Sequence, residues 1–286
     1  MFRTSVPVLT MPSPLRCNAF ATHPHEKGVT NLPISAPKAE PPPRPRPAIV
    51  GPVEAGVEAP RARLRMNTMF PCAAGPGSFV ELDELTRVER QVAKGAALYR
   101  NGDALEAVYA VRSGSFKATV LSAGGDEKVV GLHLPGEIMG LDAISASRHT
   151  CEAVALEDSQ VCAIPFARLS QLAQRMPQLQ EQLLRTLSGD ITRNQGLLLL
   201  MGGMNAEQRI AALLLNLSRR HANLGLPATR FSLHMTRYDI GSYVGLTTET
   251  VSRVFSKMRR EGLIAVRPKE VDLIDLGKLH DMAGPW

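Results

Sequence analysis

Cysteine is scarce in this 286-residue chain, where Cys17, Cys72, Cys151 and Cys162 are the whole complement. Four widely spaced thiols do not make a disulfide framework, and no leader with a continuous apolar centre precedes them, so a reducing cytoplasm is the expected setting. Long apolar runs are missing too. Nothing approaches the roughly 18 consecutive apolar residues that a membrane span requires, so no membrane partner is expected. No nucleophile, base and orienting side chain fall into a catalytic pattern, which argues against an enzyme. Excess charge is absent from most of the chain as well. The formal charge is +6, but residues 1–65 hold nine basic against four acidic side chains, leaving only +1 for the remainder. Global basicity is therefore no argument for a nucleic-acid partner; local placement has to carry it.

What is present is enough for two domains, with 44% hydrophobic residues to fill their cores. Residues 1–65 are proline-rich, with PPPRPRP at Pro41–Pro47, and lack any periodicity. Such a segment buries too little apolar surface to offset its ordering entropy and is expected to be disordered; a start at Met66 or Met69 would remove it altogether. From Phe79, VELDELTRVERQV has the pattern of a leading amphipathic helix. Between Lys94 and Pro165, glycines punctuate short alternating runs such as VYAVRSG and FKATVL. That texture predicts a compact antiparallel β-domain, a roll or barrel over residues 66–177, able to enclose a ligand and act as a sensor.

From Gln178 the pattern turns helical. Leu184, Leu187, Ile191, Asn194, Leu198 and Met201 follow the alternating spacing of coiled-coil core positions, which predicts a parallel homodimer helix over 178–204 with Asn194 setting register. The alternative is a helix packed along its own domain, but LLLLMGG offers apolar atoms on more faces than one contact needs. Gly202-Gly203 should end that helix, and Asn205 with Gln208 three residues on forms a capping-box start for the next. Its stripe of Ile210, Leu213, Leu214 and Leu217 should pack inside a C-terminal domain of residues 205–286.

Within that domain, TRYDIGSYVGLTTETVSRVFSKM from Thr236 to Met258 reads as two short helices joined by a turn at Gly245-Leu246-Thr247, with Thr236 as N-cap of the first. On the second helix Val251, Val254, Phe255 and Met258 make an apolar stripe. Thr248, Glu249, Ser252 and Arg253 form another face. With Thr247 as N-cap, that face lies in the first turns, where a recognition helix enters the major groove. Arg253 can present a fork to O6 and N7 of guanine, Glu249 can accept from the N4 amine of cytosine, and Ser252 suits several base edges. The plainer alternative is a surface Glu249–Arg253 ion pair worth roughly 0.3–0.5 kcal/mol. Arg237, Thr248, Thr250, Lys257, Arg259 and Arg260 are placed to support this face or meet phosphates. GLIAVRPKEVDLIDL then alternates like a small hairpin, a wing beside the motif. The predicted fold class is α+β: β sensor, dimer helix, winged reader.

From about Phe79 to Leu276 the chain resembles the CRP/FNR bacterial transcription regulators, through TTETVSR, NLSRR, MTRYDIGSYVGLT, YAVRSG and LPGEIMGLDAI, and looks like the FNR branch. The resemblance implies a cyclic-nucleotide-binding-like antiparallel β-roll, a long dimerisation helix and a C-terminal winged helix-turn-helix. It further implies double-stranded DNA as partner, with Glu249, Ser252 and Arg253 reading a palindrome of the TTGAT/ATCAA kind. Serine at position 252 separates this branch from relatives with glycine there. RNA polymerase is implied as a second partner.

Departures from the family bear on cofactors. Oxygen-sensing members hold a [4Fe-4S] cluster with an N-terminal cysteine group plus one cysteine in the β-roll. Cys162 matches the latter, but only Cys72 stands before the roll and Cys17 is stranded in the tail, so the four thiolates a cluster needs are not assembled. Cyclic AMP binders place Arg-Ser/Thr-Ala after a Gly-Glu pair; here Gly136-Glu137 is followed by Arg148-His149-Thr150-Cys151. The arginine is there and its context is not. His133 and His149 are isolated, and lone histidines in a β-domain are more often hydrogen-bonded than haem ligands. A thiol switch among Cys72, Cys151 and Cys162 competes with ordinary burial of small apolar side chains. No cofactor or metal is therefore assigned, and the residues argue against an iron–sulfur cluster, cyclic AMP and haem alike.

Overall fold

The computed structural model describes residues 88–122 and 124–284. Eight strands come first: β1 (Glu89–Val92), β2 (Ala97–Tyr99), β3 (Ala107–Ser113), β4 (Phe116–Leu121), β5 (Glu127–His133), β6 (Ile138–Met139), β7 (Glu152–Ala155) and β8 (Ser159–Pro165). They pair into two four-stranded sheets in the orders β1-β8-β3-β6 and β2-β7-β4-β5, with all neighbours antiparallel. Alternation along β3 explains the layering. Ala107, Tyr109 and Val111 join Phe116, Ala118, Met139 and Ala153 in a core fed by both sheets. Val108 and Ala110 join Ile138, Cys162 and Ile164 on the other face of the first sheet, against the helices that follow.

Those helices are α1 (Phe166–Arg175) and the long α2 (Pro177–Gly203), and Leu169, Leu172 and Leu179 seat them on the roll. The C-terminal half continues with α3 (Ala206–Asn223), β9 (Arg230–Ser232), α4 (Arg237–Val244), α5 (Thr248–Arg260), β10 (Ile264–Val266), β11 (Glu270–Leu273) and α6 (Leu276–Ala283). Its core is built around α3, whose Ile210, Leu213, Leu214 and Leu217 are buried as the periodicity predicts. The hairpin of β10 and β11 is present, and β9 adds a third strand to it in the order β10-β11-β9. Val129, Leu132, Leu134 and Leu156 of the roll belong to the same apolar cluster as α3 and α4, so the second sheet and the C-terminal half share a core.

Two expectations need correction. The leading helix does not extend over Glu89–Val92, which are β1, with Glu89 opposite Cys162 and Val92 opposite Ser159. Val88 and Val92 have helical spacing, but pairing with β8, some 70 residues away, supplies backbone hydrogen bonds that local pattern cannot reveal. Gly202-Gly203 does not break α2 but forms its last turn; the chain leaves the helix at Met204, which is extended, one residue before the Asn205 cap. The proline-rich tail of residues 1–65, Cys17, Cys72 and the expected helix from Phe79 to Arg87 lie outside the described residues.

Candidate nucleic-acid interface

The helix pair is built by local rules. A capping box closes the start of α4: the Thr236 hydroxyl accepts from the Asp239 amide at 3.0 Å while Asp239 Oδ2 accepts from the Thr236 amide at 2.9 Å. Gly245 ends α4 with φ of 70°, the left-handed region that glycine enters without strain. Thr247 caps α5, accepting from the Thr250 amide at 3.2 Å. The turn between the helices is tight. A Cβ on Gly241 would sit 2.5 Å from the Leu246 carbonyl oxygen, so α4 and the turn touch backbone to backbone.

Val251, Val254, Phe255 and Met258 bury one side of α5 in the core. Thr248, Glu249, Ser252 and Arg253 are exposed on the other, in the first two turns. No Glu249–Arg253 ion pair forms: Arg253 reaches the Thr250 hydroxyl at 3.4 Å, and the Ser252 hydroxyl donates back to the Thr248 carbonyl at 2.9 Å. Glu249 and Arg253 are thus both exposed on this face without pairing to each other.

The flanking residues divide. Arg259 and Arg260 are exposed at the end of α5. Lys257 donates to both carboxylate oxygens of Glu207 at 2.6 and 2.8 Å, which ties α5 to α3 and raises its pKa. The Arg237 guanidinium lies 3.5 Å from the centroid of the Phe255 ring, half-buried, and burial lowers its pKa. It clamps α4 to α5, one of the supporting placements expected beside this face.

A hydrogen-bonded helix-turn-helix beside a three-stranded wing, with a polar outward face on the second helix, has the geometry of a major-groove reader. Comparison with known proteins agrees. Residues 208–282 match the model of the Crp-like helix-turn-helix domain, and residues 89–176 that of the cyclic nucleotide-binding domain. The transcriptional regulatory protein btr of Bordetella pertussis is 48% identical over 210 residues, covering 73% of this chain and 87% of that protein. The fumarate and nitrate reduction regulatory protein of Escherichia coli K12 is 42% identical over 204 residues, 71% of this chain and 82% of that one. The chain belongs to the CRP/FNR family of transcription regulators. Among solved structures, FixK2 from Bradyrhizobium japonicum superposes with a TM-score of 0.64 at 29% identity, covering 70% of this chain and 98% of FixK2. As a CRP/FNR-type regulator, the chain uses its C-terminal helix-turn-helix as a DNA-binding domain, and its relatives form a non-enzymatic class.

The β-roll of this CRP/FNR chain has filled its Gly136–Cys151 segment with its own contacts. Glu137 accepts from Arg220 of α3 through Nε at 2.9 Å and Nη2 at 2.5 Å. Arg148 points to the Gly102 carbonyl at 2.8 Å, at the surface. The His149 ring stacks on Tyr99 with centroids 3.8 Å apart. Asp142 accepts from the Thr150 amide at 2.7 Å and lies 3.5 Å from Cys151 Sγ. Burial first, then the Asp142 charge, pushes the Cys151 thiol up to about 12, so it stays a neutral packed thiol. Asp142 and Arg148 are thus both bonded within the roll. Cys162 sits in the apolar cluster on the outer face of the first sheet and Cys151 in the roll interior, in separate clusters. Among the described residues no group of three or more His, Cys, Asp or Glu could hold a metal ion, and no helix is long and apolar enough to cross a membrane.

Several functional side chains had no signal in the sequence. Arg209 donates to carbonyls at the end of α2 (Met201 and Met204, both 2.8 Å) and at the turn (Val244 and Gly245, both 3.1 Å), joining the long helix to the reader. Lys117 of β4 donates to Asp239 at 2.8 Å, and the Val129 amide of β5 donates to the Ser242 hydroxyl at 2.9 Å. Burial would raise the Asp239 pKa, but the hydrogen bonds from Lys117 and Thr236 outweigh it and hold the carboxyl below its usual range. The Lys117–Asp239 and Val129–Ser242 contacts span more than 100 positions of sequence, so no local pattern announces them.

Proposed function

We propose that this regulator acts as a homodimer that binds one palindromic DNA site of the TTGAT/ATCAA kind. The observation that carries the reading is the outward face of α5. Glu249, Ser252 and Arg253 stand exposed in its first two turns over a buried Val251-Val254-Phe255-Met258 stripe. Arg253 meets a guanine, Glu249 a cytosine amine, and Ser252 a neighbouring edge. Arg259 and Arg260, with Thr248 and Thr250 beside the cap, serve phosphates.

Support for the dimer comes from α2. Leu184, Ile191 and Leu198 recur every seven residues and are 59%, 58% and 66% exposed, an apolar stripe open along a 27-residue helix. Asn194 and Met201 are exposed on the same side, whereas Leu187 is half-buried against the roll. A second copy of α2 covers this stripe best, since two-fold pairing of readers is what a palindrome requires. In this reading, residues 66–177 form the sensor, 178–204 the dimer helix and 205–286 the reader. The protein works in the cytoplasm with RNA polymerase as its partner at promoters, and no resident cofactor is needed to hold the reader together.

Half-site spacing tests the reading. Fluorescence anisotropy should show tight binding to a duplex with half-sites about one helical turn apart, roughly 10 base pairs. Inserting about 5 base pairs between them, half a turn, should weaken binding to the level of a single half-site. Equal affinity for both duplexes would overturn the dimeric reading.

A further inference from the structure

Three elements of different origin meet at one carboxylate. Glu137, in the turn between β5 and β6, receives Arg220 of α3 through two nitrogens at 2.9 and 2.5 Å and lies 3.6 Å from Arg193 of α2. The turn itself is pinned, because the Leu134 amide donates to Glu137 Oε2 at 3.0 Å. Arg220 also donates to the Leu132 carbonyl of β5 at 2.6 Å, so its guanidinium spans the strand and the acid. The side chains of Arg220 and Glu137 are only 10% and 21% exposed. Burial would raise the Glu137 pKa, but the two arginines outweigh it and keep the carboxylate ionised.

We propose that Glu137 is a positioning residue which couples the β-roll to the DNA reader, its carboxylate holding α3 and α2 in one fixed relation to the roll. A bidentate guanidinium–carboxylate pair fixes direction as well as distance. Here it joins the roll to the helix that forms the reader's core, while Arg193 brings the same carboxylate to the helix proposed to set dimer spacing. The neighbouring contact between Val129 and Ser242 depends on the same placement, since β5 carries both Val129 and Leu132. Glu137 therefore belongs to the transmission path between roll and reader. The pair also lines a cavity of about 860 Å³ between α2 and the reader.

The proposal rests on the C-terminal half being the DNA reader, and two readouts separate the two ideas. In the full-length protein, Glu137→Gln should weaken binding to the palindromic duplex by roughly fivefold or more, the lower end of measured coupling between sites. It should also speed amide hydrogen exchange at Val129 on β5. Arg220→Gln, which removes the other partner, should reproduce both effects, and the double variant Glu137→Gln with Arg220→Gln should lose less than the sum of the two single losses, since both changes break the same pair. Unchanged exchange at Val129 in both single variants would overturn the coupling, as would losses that simply add in the double variant. Faster exchange with no duplex preference in the wild-type protein would uphold the coupling and refute the DNA reading instead.

Discussion

Arg253 and Arg237 lie on adjoining helices of the reader and have the same side-chain chemistry, yet the fold gives them different surroundings. Arg253 stands outside with a hydroxyl partner at 3.4 Å, free to exchange it for a base edge. Arg237 is spent on the Phe255 ring. Arg253→Ala should therefore cost roughly 1–3 kcal/mol of DNA binding and relax preference at one base pair, measured against single-substituted duplexes. An equal loss on every duplex would assign Arg253 to phosphate. A second residue-scale prediction concerns His133, whose Nδ1 is buried without a hydrogen-bond partner. Burial pushes its pKa from 6.5 down to about 4, with Arg220 and Arg193 lowering it further and Glu137 and Asp142 opposing. The unfolded chain takes up this proton near pH 6.5 and the folded chain only near pH 4. The stability this site contributes is thus complete above pH 6.5 and falls as pH drops towards 4, by at most about 3 kcal/mol. Chemical denaturation of His133→Gln across that window should show a flatter pH profile than the wild type.

At the scale of elements, the helix caps were legible in the sequence because they are local. Thr236, Asn205 and Thr247 each satisfy an amide within three residues, and all three cap where the pattern placed them. The wing hairpin was legible for the same reason, from alternation around a short loop. Glu89–Val92 was not, since its strand character comes from β8 on the far side of the roll. Lys257 and Arg237 could be recognised as basic residues beside the reader, but not as partners of Glu207 and Phe255, because those pairings depend on how α3, α4 and α5 cross. Gly241 gives the element-scale prediction. A methyl group there would press on the Leu246 carbonyl at 2.5 Å, and the turn between α4 and α5 cannot yield without shifting the recognition helix. Gly241→Ala should destabilise the reader by about 1–3 kcal/mol in thermal unfolding and weaken DNA binding beyond the loss of folded protein. A melting curve and affinity matching the wild type would show that the turn has slack.

The whole molecule places an antiparallel β-roll, a long helix with an open apolar stripe and an exposed polar face on α5 in one chain, linked by Lys117–Asp239, Val129–Ser242 and Glu137–Arg220. Assembly follows from the stripe. Ile191→Glu puts a charge at its centre and should convert dimer to monomer in sedimentation velocity, with loss of palindrome binding while the isolated fold remains; an unchanged dimer would move the interface elsewhere. The most direct test of the central claim is a salt series on the wild-type protein, comparing a TTGAT/ATCAA duplex with a scrambled duplex of the same composition. Specific recognition predicts tighter binding to the palindrome at every salt concentration, with both affinities falling as salt rises because phosphate contacts release counterions. Equal affinity for the two duplexes, or binding that ignores salt, would contradict it.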